Sequence, residues 1–157
     1  MKIIKPSFKI IGQAPGIGGM YKQIEMAGRT CYKSEDKITE DSAKEFVDRM
    51  IKSGHGAMLE HGTIYLHSTG QELKKYYSNK YSIVKYFSKN HVDEKHRGND
   101  GWYVTTNLRV LVENDWMDDL QYLCEPTEYH ERRITVKFVC DRGVSHEFVR
   151  HKMLCVA

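Results

Sequence analysis

Residues 134–157 constrain the chain most, because a strand pattern there turns directly into a helix pattern. Ile134, Val136, Phe138 and Cys140 alternate with Thr135, Lys137 and Val139, the period-two signature of a strand with one buried face. Asp141 and Gly143 then supply turn chemistry, with Asp141 placed as an N-cap, and Val144, Phe148, His151 and Cys155 recur at helical spacing. The helix also carries Glu147, Arg150, His151 and Lys152, a density of ionisable groups that calls for a reason.

The rest of the chain reads as further strands and helices. Residues 1–11 read as a first strand interrupted at Pro6, and the glycine-rich stretch after it reads as a turn. Its glycines fit neither GxxxxGK[ST] nor GxGxxG, so it is not read as a phosphate loop. A helix follows in which Met20, Ile24, Ala27 and Cys31 share a face. From Thr39 a second helix is clearer, because Ala43, Phe46, Val47, Met50 and Ile51 match the template of a buried stripe, and Gly54 stops it. Thr63 to His67 then forms a strand with Ile64 and Leu66 on one side.

Residues 71–101 are rich in Tyr and Lys, a mixture that either covers a core with amphipathic side chains or, less in keeping with the charge, marks single-stranded nucleic-acid binding. Trp102 to Thr106 reads as a strand, Asn107 caps a helix to about Val112, and Asp115 caps another containing Met117, Leu120, Gln121 and Leu123. The sum is an α+β fold, a sheet with packed helices, in one domain over residues 1–157.

Charge and cysteines narrow the class further. A net charge of +3 and a pI near 8.6, with the two signs interspersed, do not indicate general affinity for nucleic acid or a membrane. The cysteines are dispersed without a CxxC pair, and neither a secretory signal nor a transmembrane run is visible, so a cytoplasmic location is expected. His91, Asp93 and His96 lie in a polar loop and are not read as a metal site.

Two places carry candidate chemistry. At the helix-to-strand junction, His55, Glu60 and His61 cluster within a few residues. In the terminal helix, His146 and His151 are five residues apart, about 140° around a helix, so HExxH zinc chemistry is excluded and no metal is expected. Glu147 is instead in reach of Arg150 and His151. Arg150, His151 and Lys152 form a cationic wall suited to a phosphate or to a cofactor that becomes anionic on reduction. Cys140 and Cys155 fall on expected buried faces, and no nucleophilic triad assembles, so no catalytic nucleophile is assigned.

Taken together, GRTCYKS, SGHGAMLEHGTIYL and DRGVSHEFVRHK resemble the flavin-dependent thymidylate synthases, the ThyX family. The third block resembles the strand, turn and helix leading into the family's RHR signature, standing here as Arg150-His151-Lys152. The resemblance covers most of residues 20–70 and 128–157, and residues 70–127 resemble an insertion found in a subset of members. The chain given stops at Ala157, inside the signature, so the resemblance implies a C-terminal portion beyond it.

The resemblance implies a ThyX-like fold, truncated at the C-terminus, and reductive methylation of dUMP to dTMP. Methylenetetrahydrofolate is the methylene donor, and NADPH the electron donor through FAD. It also implies a homotetramer with shared active sites. His55, Glu60, Arg150, His151 and Lys152 would be flavin contacts, and Glu147 and Arg150 would meet dUMP. Lys152 keeps the charge of the second signature arginine but not its planar fork, and Cys31 stands where some members place a serine toward FAD. The alternative is a non-catalytic flavin- or nucleotide-binding fragment, or one half of a split enzyme that pairs with a separately encoded C-terminal half.

Overall fold

Three antiparallel strands form the principal sheet of a mixed α+β architecture, in a computed structural model that describes residues 5–88 and 100–148. In chain order the elements are β1 (Ser7–Ile11), α1 (Gly16–Cys31), α2 (Ser42–Lys52), α3 (Gly56–Leu59), β2 (Thr63–Ser68), β3 (Ile83–Phe87), β4 (Gly101–Asn107), α4 (Leu108–Glu113), β5 (Thr135–Val139) and α5 (Arg142–Phe148). Short 3₁₀ helices fill Glu35–Lys37, Glu72–Ser78 and Met117–Tyr122. The sheet order is β2-β4-β3, with Leu66 and Val84 both opposite Val104. Every residue of β4 is buried. Its middle position explains this, because helices cover one face while Tyr129 and His130 cover the other, against Tyr103 and Tyr65.

The 70–127 segment is therefore not a decoration laid over a core. It contributes both β3 and β4, and its Leu73, Tyr76, Val104, Leu108 and Leu111 are fully buried with Ile64 and Leu66. The α2 stripe behaves as its spacing predicts, since Ala43, Phe46, Val47 and Met50 are buried, although the helix begins at Ser42 rather than Thr39. The Ser42 hydroxyl accepts from the Thr39 N–H at 2.9 Å, so Thr39 belongs to the turn before the helix. Similarly, α1 starts inside the glycine-rich turn. Gly19 is required there, because a Cβ would lie 1.9 Å from the Ala14 carbonyl oxygen.

Three helices end in the same Schellman geometry, in which the chain reverses through a residue with positive φ. Gly54 fills this position after α2, Lys33 after α1 and Asp115 after α4. The corresponding hydrogen bonds are His55 N–H to Met50 O, Ser34 N–H to Arg29 O and Trp116 N–H to Leu111 O, at 3.0, 2.9 and 2.8 Å. Asp115 thus closes α4 rather than capping the next helix. Asn107 does cap α4, its side chain accepting from the Val110 N–H at 3.2 Å.

Among the described residues strands β1 and β5 pair only with each other, as a two-stranded ribbon with Phe8 opposite Phe138 and Ile10 opposite Val136. Its ends are tied to the main body. Gln13 exchanges two hydrogen bonds with the Thr63 backbone at 2.8 and 3.0 Å, and Arg133 donates to Tyr65 Oη and to the Tyr81 carbonyl. Here the expectation of a buried strand face is corrected, because Phe8 is 70% exposed, Ile10 62% and Ile134 70%. Cys31 is likewise exposed rather than on the buried face of α1, and Cys140 is half-buried. Within the ribbon, Asp141 caps α5 by accepting from the Val144 N–H, and Phe148 stacks on Phe138 at 4.8 Å.

His130 makes the fold pH-sensitive. Its Nε2–H donates to the Leu66 carbonyl at 3.1 Å, and its Nδ1 accepts from the Thr127 N–H at 3.1 Å, an arrangement that suits only the neutral ring. Burial pushes its pKa below the ordinary 6.5, against the opposing effect of the Leu66 hydrogen bond. The unfolded chain therefore binds a proton near pH 6.5 that the folded chain refuses, and stability falls as pH drops from there toward the folded pKa. Urea midpoints are expected to be lower at pH 5.5 than at 7.5. His130→Gln, which retains a donor and an acceptor but no titrating ring, flattens that profile; an unchanged profile contradicts the assignment.

Candidate functional site

The junction between α2 and β2 is positioned by the cap that ends α2. Because Gly54 takes φ of 73°, the next N–H, that of His55, folds back onto Met50 O and the His55 side chain is carried out at the surface. No hydrogen bond of its own holds that imidazole among the described residues. A single helical turn, α3, follows. Its Met58 and Leu59 are buried against α1 and α2, which fixes His55 and Glu60 at its two ends.

Glu60 is partly exposed and accepts from Arg109 Nη1 of α4 at 2.5 Å, while Arg109 Nε donates to Glu113 at 2.6 Å. Arg109 packs so closely on α3 that a Cβ at Gly56 would lie 3.1 Å from its Nε. No local pattern marks Arg109 as part of this site, since it comes from a different helix 49 residues away. His61 follows Glu60 into the interior. Its Nε2 is buried without a hydrogen-bond partner among the described residues, and burial lowers its pKa despite the neighbouring Glu60 carboxylate. The ring is consequently neutral, and a buried imidazole nitrogen without a partner is costly unless some group meets it. Gly62 allows the approach of α1, because a Cβ there would lie 2.6 Å from Ile24.

The other expected site residues are distributed differently. Glu147 is exposed on α5, at the end of the ribbon, whereas α3 packs among α1, α2 and α4. Arg150, His151 and Lys152 lie outside the described residues, as do Cys155, His91, Asp93 and His96. Cys124 is no candidate nucleophile, since burial and then Glu125 push its thiol up to about 11.

The junction offers an exposed imidazole and a carboxylate already engaged by a guanidinium, while the His61 Nε2 is enclosed, without a hydrogen-bond partner among the described residues. That set suits recognition of a polar aromatic ligand by hydrogen bonds better than it suits acid–base chemistry on its own. Among the described residues no group of three His, Cys, Asp or Glu side chains is arranged to hold a metal ion, and no helix is long and apolar enough to cross a membrane. Compared with protein-family models, with curated proteins and with solved structures, the chain matches none.

Proposed function

We propose that this chain is a flavin-dependent thymidylate synthase, ThyX-like in fold, which converts dUMP to dTMP with methylenetetrahydrofolate, NADPH and FAD. The observation that carries the proposal is the α2–β2 junction, where His55 and Glu60 stand at the two ends of one helical turn. These donors and acceptors fit a flavin ring system, which presents carbonyl oxygens and an N–H along one edge. When bound, FAD carries to the one-carbon unit the reducing equivalents drawn from NADPH. The chain's own residues bind and orient. His55 and Glu60 hold the flavin, Arg150, His151 and Lys152 supply positive charge along it, and Glu147 with Arg150 meets dUMP. Fixed cations of this kind stabilise negative charge on a reduced ligand without rearranging when it forms.

The ribbon supports the oligomeric part of the reading. Its Phe8, Ile10, Phe138 and Val136 make one apolar face that this chain leaves largely open, in keeping with burial against another subunit of a homotetramer or against a separately encoded C-terminal half. Phe8→Glu combined with Ile10→Glu is expected to dissociate the assembly in sedimentation velocity while leaving the circular dichroism of the core unchanged. An unaltered sedimentation coefficient removes the ribbon from the interface.

The function itself is tested by dTMP formation from dUMP with methylenetetrahydrofolate, NADPH and FAD. FAD-dependent dTMP formation is expected. FAD retained without turnover supports the alternative of a binding fragment or split half, and neither retention nor turnover overturns both readings.

A further inference from the structure

We propose that the cleft between the end of α1 and the start of α2 binds the phosphate group of a small phosphomonoester. The cleft measures about 390 Å³ and is separate from the α2–β2 junction; Arg29, Lys37 and Arg49 bring three cations into it from three different elements. Arg29 is the anchor. Only 9% of it is exposed, yet among the described residues its one side-chain hydrogen bond runs from Nε to the buried Glu25 carboxylate at 3.0 Å. That bond fixes the plane of the guanidinium and leaves its terminal nitrogens to serve the cleft.

Phe46 packs against the second guanidinium as well as the first. The Arg29 and Arg49 guanidinium carbons lie 5.0 and 5.7 Å from the centre of the same ring, so one buried aromatic meets two like charges. Among the described residues Arg49 has only a loose ion pair, 4.0 Å from Glu45, and the Lys37 ammonium has no carboxylate partner. Ser34 and Tyr32 add hydroxyls at the rim, without side-chain partners among the described residues.

Like charges gathered at a half-enclosed surface repel one another, and an anion relieves that cost. A phosphate dianion accepts from several planar or point donors at once, which distinguishes it from a single carboxylate. Two carboxylates oppose the three cations, Glu45 at the cleft and the buried Glu25, which accepts from Arg29 Nε and from Ser42 Oγ at 3.0 Å each, so the positive potential is weakened rather than abolished. The inference does not depend on the flavin reading, because none of these residues belongs to the junction.

The test is a titration of the full chain with methyl phosphate, followed by amide shifts in ¹H–¹⁵N spectra. Saturable shifts are expected at Ser34, Lys37 and Arg49, and they persist in His55→Ala. Lys37→Gln and Arg49→Gln, both at exposed positions, each weaken binding about tenfold, the loss of one charge-assisted contact. Glu45→Gln tightens it, whereas Lys52→Gln, a cation of α2 outside the cleft, changes nothing. The proposal is overturned if the wild type shows no saturable shift, if the Lys37→Gln/Arg49→Gln double variant binds equally well, or if Lys52→Gln weakens binding as much as they do.

Discussion

Replacing Asp119 with alanine lowers the unfolding free energy by about 3 kcal/mol, read from urea midpoints at neutral pH. Asp119 is 5% exposed and accepts from Tyr76 Oη at 2.8 Å and from Lys75 Nζ at 2.7 Å. These bonds tie the 3₁₀ helix Glu72–Ser78 to the 3₁₀ helix Met117–Tyr122, across the core that the 70–127 segment builds. Tyr76 is fully buried, and desolvation followed by the Asp119 hydrogen bond raises the pKa of its phenol, so the hydroxyl stays protonated and requires an acceptor. Without Asp119 that hydroxyl is orphaned at about 1–3 kcal/mol. Lys75 is more than a third exposed, so solvent screens its ion pair and the smaller share of the effect belongs to it. Asp119→Asn keeps one acceptor and is expected to cost roughly half as much. A loss below about 0.5 kcal/mol for Asp119→Ala, the range of ordinary surface substitutions, contradicts this account of the network.

Arg150→Ala is expected to reduce FAD affinity by about a hundredfold, and His55→Ala by about tenfold. The difference follows from charge. Arg150 is proposed to give several charge-assisted donors to flavin and dUMP, whereas His55 gives a single hydrogen bond. The His55 substitution is a clean test, because the Schellman cap uses its backbone N–H and not its ring. Its side chain is exposed, so the core is untouched. Fluorescence titration of FAD against each variant gives the affinities, and unchanged values remove the corresponding residue from the flavin site.

Much of the main body was legible in local pattern. The α2 stripe, the Ile64/Leu66 strand and the Asn107 cap each depend on neighbours within a turn or a strand, which sequence spacing reports directly. The ribbon was legible as a strand but not in its burial, because alternation of Ile134, Val136 and Phe138 announces an apolar face without saying what covers it. Asp115 misled for a different reason, since aspartate suits both an N-cap and a left-handed C-terminal position. The composition of the 70–127 segment suggested cover, and only the sheet order reveals that β4 lies at the centre. At the site, His55, Glu60 and His61 stood out by proximity in the chain. Arg109 did not, nor did the convergence of Arg29, Lys37 and Arg49, because each arises from packing between elements distant in sequence.

The flavin reading meets its most direct test in the absorbance of the purified full chain after incubation with FAD and gel filtration. The account predicts flavin absorption co-eluting with the protein at close to one FAD per chain, and its loss from Arg150→Ala. A colourless protein peak, with all the FAD eluting at the free-ligand position, would contradict it.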